Sequence, residues 1–321
     1  MPGIYQKYFL RLANIAVVVL LTATAMPSFA DGFTFAAIGD MPYGNDMQFI
    51  GLINRLNDEP LAFTLHVGDI KSGSTPCSNE TFIKVRSMFD RFDRPLIYTP
   101  GDNEWTDCHR KSNGGMDPIE RLAKIRSLFF SSPMSFGRQP ARMEVQSDQE
   151  GYRLYVENRR WVHDRITFAT LHLVGSNNNL QRDLKSATEF FARDAANRQW
   201  MAETFSAAKA RNDIAVVLAM QADTMFEKNP DERTGFNLWL EALEKEAKSW
   251  GKPVLLIQGD THEFKLDQPL VGADMKRVAN VTRLVVHGAQ NVHATLIDVL
   301  PARPQQPFSF RFLMQGDMAQ H

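Results

Sequence analysis

Four apolar runs in this chain end in the same two residues. "AAIGD" closes on Gly39-Asp40, "LHVGD" on Gly68-Asp69, "YTPGD" on Gly101-Asp102 and "LLIQGD" on Gly259-Asp260. Continuously apolar runs of this length are expected of strands covered on both faces. In a parallel α/β sheet the carboxyl ends of the strands open onto one edge, where ligands bind. The four aspartates can therefore converge, and the glycine before each lets the backbone turn sharply. Gly-Asp is also an ordinary turn and helix-cap pair. That reading explains any one occurrence easily, but explains four strand ends poorly, the last of them followed by Thr261-His262. Converging carboxylates repel one another, and burying them unpaired is costly. A bound cation removes that cost, so the pattern points to a metal site.

The rest of the chain alternates strand and helix. Strand-like runs cover 33–39, 61–67, 95–99, 166–174, 214–220, 253–258, 282–286, 293–299 and 308–312. Between them lie helical patterns. Phe49, Ile50, Ile53 and Leu56 recur at helical spacing after Asp46. Ser78 can cap a helix carrying Phe82, Val85, Phe89 and Phe92, and Asp117-Pro118 is a cap followed by proline at the first helical position. Longer helices are expected over 186–210 and 237–250. The alternation predicts a largely parallel α/β core that becomes strand-rich near its C-terminus. The stretch 131–160 reads as an irregular insertion over that core, within a single domain of 31–321.

The first 30 residues stand apart. Lys7 and Arg11 precede an apolar run that ends at Pro27, and Ser28-Phe29-Ala30 follows as a small-x-small site. This is the pattern of a cleaved secretory signal peptide. The run is shorter than the roughly 20 residues a membrane span needs, so no stable membrane insertion is expected after cleavage, and the mature protein is expected in the periplasm or secreted. Export places the two cysteines, Cys77 and Cys108, in an oxidising compartment, where an even count favours a disulfide. With 36 basic and 37 acidic residues and a net charge of −1, nothing marks a nucleic-acid-binding surface.

The Gly-Asp strand ends, in this order and spacing, resemble the calcineurin-like metallophosphoesterases, over about residues 33–300. That family carries Asp-x-His after the first strand, Gly-Asp-x-x-Asp after the second and Gly-Asn-His-Asp/Glu after the third. A later His and a Gly-His-x-His follow. "GDMPYG" keeps Asp40 but has Pro42 for the His, and "GDIKSG" keeps the bridging Asp69. "GDNEW" has Asp102 for the Asn ligand, Asn103 for the His that aids leaving-group protonation, and Glu104 for the motif's acid. Gln221 falls near the later His, and "GDTH" has Asp260 for the first His while keeping His262.

The resemblance implies a four-layer αββα sandwich and metal-dependent hydrolysis of a phosphomonoester or phosphodiester, with a small phosphorylated substrate. Its implied ligands are Asp40, Asp69, Asp102, Asp260, His262 and the side-chain carbonyl of Gln221. Such an oxygen-rich set suits Mn²⁺, Mg²⁺ or Ca²⁺ better than the family's iron or zinc, with one or two ions bound. His109 is a candidate general acid in place of the missing imidazole, and Arg110 a candidate phosphate clamp. Asn177 and Asn178 lie where the family places substrate-side loops. His66 and His172, inside strands, are expected to be core histidines. The lost His ligands leave two alternatives open: a non-catalytic binding protein on the same fold, and a calcium site that only holds loops together.

Overall fold

The computed structural model describes residues 32–224 and 226–314; the signal peptide expected over 1–30 lies outside the described residues. In chain order the strands are β1 (Phe33–Ile38), β2 (Leu61–His66), β3 (Leu96–Tyr98), β4 (Glu144–Val145), β5 (Arg159–His163) and β6 (Ile166–Thr170). Then come β7 (Ala215–Ala219), β8 (Val254–Gln258), β9 (Lys265–Asp267), β10 (Val281–Val285), β11 (Ala294–Val299) and β12 (Phe308–Leu313). They form two sheets, ordered β12-β11-β1-β2-β3 and β4-β5-β6-β7-β8-β10-β9. The strands β1, β2 and β3 run parallel in the first sheet, and β6, β7, β8 and β10 run parallel in the second.

The side-chain period of two sorts each strand between two cores. From β1, Phe35 and Ala37 point into the layer between the sheets, where they meet Phe168 from β6, Val217 from β7 and Leu255 from β8. Ala36 and Ile38 point the other way, onto the helices Asp46–Asp58, Asn79–Phe89 and Pro118–Phe129. On the far side, Val216 and Leu218 of β7 pack against Trp200 and Phe205 of the helix Leu184–Ala210 and Trp239 of the helix Asn237–Trp250. The result is helices, sheet, sheet, helices, the αββα order expected from the sequence.

The expected caps form as read. The Ser78 side chain accepts from the Thr81 N–H, and Asp117 accepts from Ile119 and Glu120 ahead of Pro118. Three strands were not legible. β5 is hidden because its buried positions, one on each face, carry Arg159 and Arg160. The Arg159 guanidinium donates to the carbonyls of Met134 and Ser132 at 2.7 and 2.8 Å and stacks over Phe130. Those acceptors lie in the 131–160 stretch, which is irregular apart from β4, a 3-10 turn at Gln146–Asp148, the start of β5 and a pair of isolated bridges. The edge strands β4 and β9, at two and three residues, carry too little pattern to read. The run 166–174 also ends as a strand at Thr170, earlier than expected.

Phe168 sits at the centre of the layer between the sheets. Its ring centroid lies 5.3, 5.1 and 5.2 Å from those of Phe35, Phe63 and Trp161. Phe168→Ala is expected to cost about 3–5 kcal/mol of unfolding free energy through lost burial and the cavity left behind. Urea unfolding followed by tryptophan fluorescence measures it; a loss below about 1 kcal/mol would contradict this packing.

Candidate metal centre

The Gly-Asp turns meet at one edge of the two sheets. Asp40 follows β1, Asp69 follows β2, Asp102 follows β3 and Asp260 follows β8. Asp40, Asp69 and Asp260 adopt left-handed backbone, with φ of 54°, 55° and 74°, as do Tyr43 at 50° and His262 at 58°. Aspartate tolerates this region better than most residues, and such strain gathers where geometry is held for function. Two glycines here serve a purpose beyond turning. A Cβ on Gly101 would stand 2.1 Å from Asp69 Oδ1, and one on Gly175 would stand 2.6 and 2.7 Å from carboxylate oxygens of Asp260 and Asp102. Glycine is required there so that backbone can lie directly against the carboxylates.

Five carboxyl groups crowd into this space. Asp40, Asp69, Asp102 and Glu104 are buried and Asp260 is largely so. Burial, and then the charges of Asp102, Glu104, Asp40 and Asp260, push the Asp69 carboxyl well above the ordinary range. Burial and the neighbouring Asp102 and Asp40 do the same for Asp260. Asp69, Asp102 and Asp260 can each bring one oxygen to within 4.8 Å of the others. A cluster of five carboxyl groups this crowded, without matching cations, fits a divalent ion. The oxygen-rich set suits a hard one, with His262 as the nitrogen donor.

Protein donors satisfy part of the cluster. Asp69 Oδ1 accepts the Asn103 backbone N–H at 3.1 Å, and its Oδ2 accepts Asn103 Nδ2 at 2.9 Å and the Tyr43 hydroxyl at 3.1 Å. Both Asp40 oxygens accept the Asp260 N–H, at 3.1 and 3.2 Å. His262 Nε2 is 3.5 Å from Asp40 Oδ1 and 3.3 Å from the Tyr43 hydroxyl. The hydrogen bond to Asp40 raises the His262 pKa. Lys71 is buried beside the cluster, its ammonium donating to the carbonyls of Asn103 and Ser72 at 2.6 and 2.9 Å.

Several expected roles change. Gln221 was expected to offer its carbonyl as a ligand. That oxygen accepts the Gly175 N–H at 2.6 Å, and the amide nitrogen faces the carboxylates instead. Glu104 was expected in the catalytic set. It is fully buried, and its Oε1 accepts from Gly101 N–H at 2.6 Å, the Tyr98 hydroxyl at 2.7 Å and Asp69 N–H at 3.2 Å. It ties two Gly-Asp turns together rather than facing a substrate. Asn177 and Asn178 were expected at substrate. Asn177 is engaged at both ends of its amide by Thr234 and Gly235, and Asn178 by Gly235 and Arg193. They pin the turn Ser176–Asn179, whose four residues all have positive φ. His109 is exposed, with Nδ1 on the Thr106 carbonyl at 2.7 Å rather than on the cluster. Arg110 pairs with Asp107 at 2.6 Å at the rim, its other nitrogen 3.5 Å from Ser176 Oγ.

Sequence reading missed Tyr43, Lys71 and the pinning role of the Ser176 turn. Tyr43 stands three residues after Asp40 and Lys71 two after Asp69; a large polar side chain that close to a buried strand end was the available signal. Ser176 Oγ lies 2.8 Å from Asp102 Oδ2 and 3.0 Å from Asp107 Oδ1, within hydrogen-bond reach of both. Cys77 and Cys108 are bonded, with Cα atoms 5.8 Å apart, and hold the loop after Asp69 against the loop after Asp102.

His66 and His172 are buried as expected. His66 does more than fill the core. Its Nδ1 accepts the Gly68 N–H at 3.2 Å, so its Nε2 donates to the Met41 carbonyl at 3.1 Å, joining the first two Asp turns.

No family model matches the sequence, and no curated protein matches it. Solved structures do. PhoD superposes with a TM-score of 0.56 at 14% identity, over 84% of this chain and 64% of its own. This chain thus spans under two thirds of PhoD. A dimetal phosphatase from Danio rerio superposes with a TM-score of 0.52 at 10% identity, over 88% of this chain and 99% of its own. The chain has the calcineurin-like metallophosphoesterase fold. At these identities the likeness extends to the fold alone.

Two predictions come from the loops around the centre. Burial pushes the His66 imidazole down to about 4. The unfolded chain protonates near 6.5, so the unfolded state binds the extra proton first as pH falls. Stability is therefore full above about pH 6.5 and declines toward pH 4, by up to about 1.4 kcal/mol per pH unit from this group. His66→Gln should flatten that part of the stability–pH curve in denaturant titrations. An unchanged slope would mean that His66 is not held neutral. The disulfide closes a loop with a sequence separation of 31. Replacing both cysteines by Ser should lower stability by about 3–4 kcal/mol in the chain-entropy picture. Guanidinium unfolding of the double variant, with mass analysis confirming the bridge in the parent, checks it.

Proposed function

We propose that this protein is an exported, metal-dependent phosphoester hydrolase acting on a small phosphorylated substrate. The observation that carries this reading is the convergence of buried carboxyl groups at the strand ends of a phosphoesterase fold. Asp40, Asp69 and His262 would hold a divalent ion, with Asp102 and Asp260 completing the acidic wall. When bound, such an ion supplies Lewis-acid polarisation of a phosphoryl oxygen.

The chain's own groups have separate tasks. Asn103 fixes the Asp69 carboxylate through its backbone and side-chain N–H groups. It also donates to the Tyr43 hydroxyl at 2.8 Å, orienting that phenol. Tyr43 is half-buried at the mouth of the cluster and replaces the missing imidazole as the hydroxyl donor near the leaving oxygen. Arg110 lies at the rim as a cationic contact for a phosphoryl group, once its pairing with Asp107 is shared. The bridge between Cys77 and Cys108, with the "PSFA" leader sequence, supports export. Among the described residues no helix is long and apolar enough to cross a membrane.

The test is elemental analysis of the purified protein with a panel of phosphomonoesters and phosphodiesters, before and after chelation and on Mn²⁺ return. Turnover should vanish on chelation and recover with Mn²⁺. Asp69→Asn keeps size but removes a shared carboxylate, and should lower both bound metal and turnover at least tenfold, about 1.4 kcal/mol in each. Metal bound without turnover on any ester would favour a non-catalytic protein on this fold. Equal metal content in the parent and Asp69→Asn would remove Asp69 from the centre.

A further inference from the structure

The centre has two unlike halves. One holds Asp40, Asp69 and His262 around the Tyr43 hydroxyl. The other holds Asp69, Asp102 and Asp260 around the side-chain amide of Gln221. Resting on the hydrolase reading above, we infer that this centre takes a single divalent ion, in the first half, and that the Gln221 amide occupies the place of a second.

The geometry of the second half is specific. Gln221 Nε2 lies 3.2 Å from Asp69 Oδ2, 3.1 Å from Asp102 Oδ1 and 3.1 Å from Asp260 Oδ1. These are the same three side chains whose oxygens gather within 4.8 Å. The amide nitrogen is therefore where a cation shared by the three carboxylates would have to be.

The amide cannot turn round to offer its oxygen instead. Gln221 Oε1 accepts the Gly175 N–H at 2.6 Å. Rotating the amide by half a turn would set its NH₂ against that N–H, two donors facing each other with no acceptor between them. It would also point a carbonyl dipole at three carboxylates. Nor can Gly175 retreat. Its backbone is wedged between Asp102 and Asp260, where even a methyl group would clash. The next four residues form the left-handed turn that Asn177 and Asn178 pin to Gly235 and Arg193. The Gln221 side chain is fully buried, and its backbone carbonyl accepts the Gly259 N–H at 2.9 Å. It has no route out. Ser176 closes the remaining side, at hydrogen-bond distance from Asp102 Oδ2.

The first half is different in kind. Its side-chain amide, Asn103 Nδ2, reaches one Asp69 oxygen at 2.9 Å and the Tyr43 hydroxyl at 2.8 Å, while Asp40 and His262 face each other 3.5 Å apart. The Asp40 oxygens accept one backbone N–H, from Asp260. Two carboxylates and an imidazole nitrogen form a mixed O/N donor set that suits Mn²⁺.

The experiment counts ions. Protein is stripped with chelator, reloaded with Mn²⁺ and desalted. Manganese per chain is then measured by elemental analysis, and the EPR spectrum separates an isolated Mn²⁺ from an exchange-coupled pair. The parent should hold one ion per chain, with the isolated spectrum. Gln221→Glu exchanges the amide NH₂ for a carboxylate oxygen and should raise the content to two, with a coupled spectrum. If the added charge prevents folding, Gln221→His, prepared in the presence of Mn²⁺, supplies a neutral ligand for the same readout. A coupled pair in the parent would overturn the inference while leaving the hydrolase reading in place. One ion in the parent and still one in both folded variants would also overturn it, because the amide would not be what excludes the second. An absence of bound metal in the parent would instead defeat the hydrolase reading on which the inference rests.

Discussion

Mutual repulsion among buried carboxyl groups is the constraint that organises this molecule. Five such groups meet where the two sheets expose the carboxyl ends of their strands. Around them the chain deploys nearly every donor it can bring close: backbone N–H groups of Gly101, Asn103 and Asp260, the amides of Asn103 and Gln221, and the hydroxyls of Tyr43, Tyr98 and Ser176. The left-handed aspartates and the glycines without room for a Cβ follow from the same need. They let backbone and carboxylate approach to hydrogen-bond distance where an ordinary residue would not fit. Lys71 and His262 supply the cationic character nearest the cluster, and burial lowers the Lys71 pKa, which limits how far it can compensate. A bound cation would complete the balance.

A second buried network supports the floor of the site. Glu157 is fully buried, and burial alone would raise its pKa; Arg126 and His172 beside it hold it well below the usual carboxylate range instead. The His172 ring lies 5.3 Å from Trp105, the residue that follows the Gly101-Asp102-Asn103-Glu104 turn, and the Arg193 guanidinium stacks over that indole at 5.3 Å. Arg193 also donates to the Asn178 side chain and backbone at 2.6 and 3.1 Å. One arginine thus joins the Trp105 loop to the turn that presents Ser176 and Gly175 to the carboxylates. Changes to this layer would be felt at the centre without touching it.

Much of this was legible from local pattern. Apolar strands ending in Gly-Asp, with Ser78 and Asp117 as helix caps, are short-range signals. They read correctly because strand period and cap chemistry are properties of a few adjacent residues. Side-chain roles at the site were less legible. Glu104 and Asn103 occupy neighbouring positions in one motif, yet one faces inward as a tie between loops and the other reaches Asp69 and Tyr43. His109 has the right chemistry for an acid and sits on the wrong side of its turn. Asn177 and Asn178 are loop pins because Thr234, Gly235 and Arg193, distant in sequence, arrive to meet them.

The sequence by itself determined the alternation of strand and helix, the order of the acidic turns along the chain and the oxygen-rich donor set, because each follows from residue type and short spacing. The tertiary structure decided which atom of each side chain faces the others. Gln221 is the clearest case. An amide offers an acceptor and a donor of nearly equal size, and its sequence neighbours do not choose between them. The Gly175 N–H, brought in by a turn after a different strand, chooses the acceptor and leaves the NH₂ among the carboxylates.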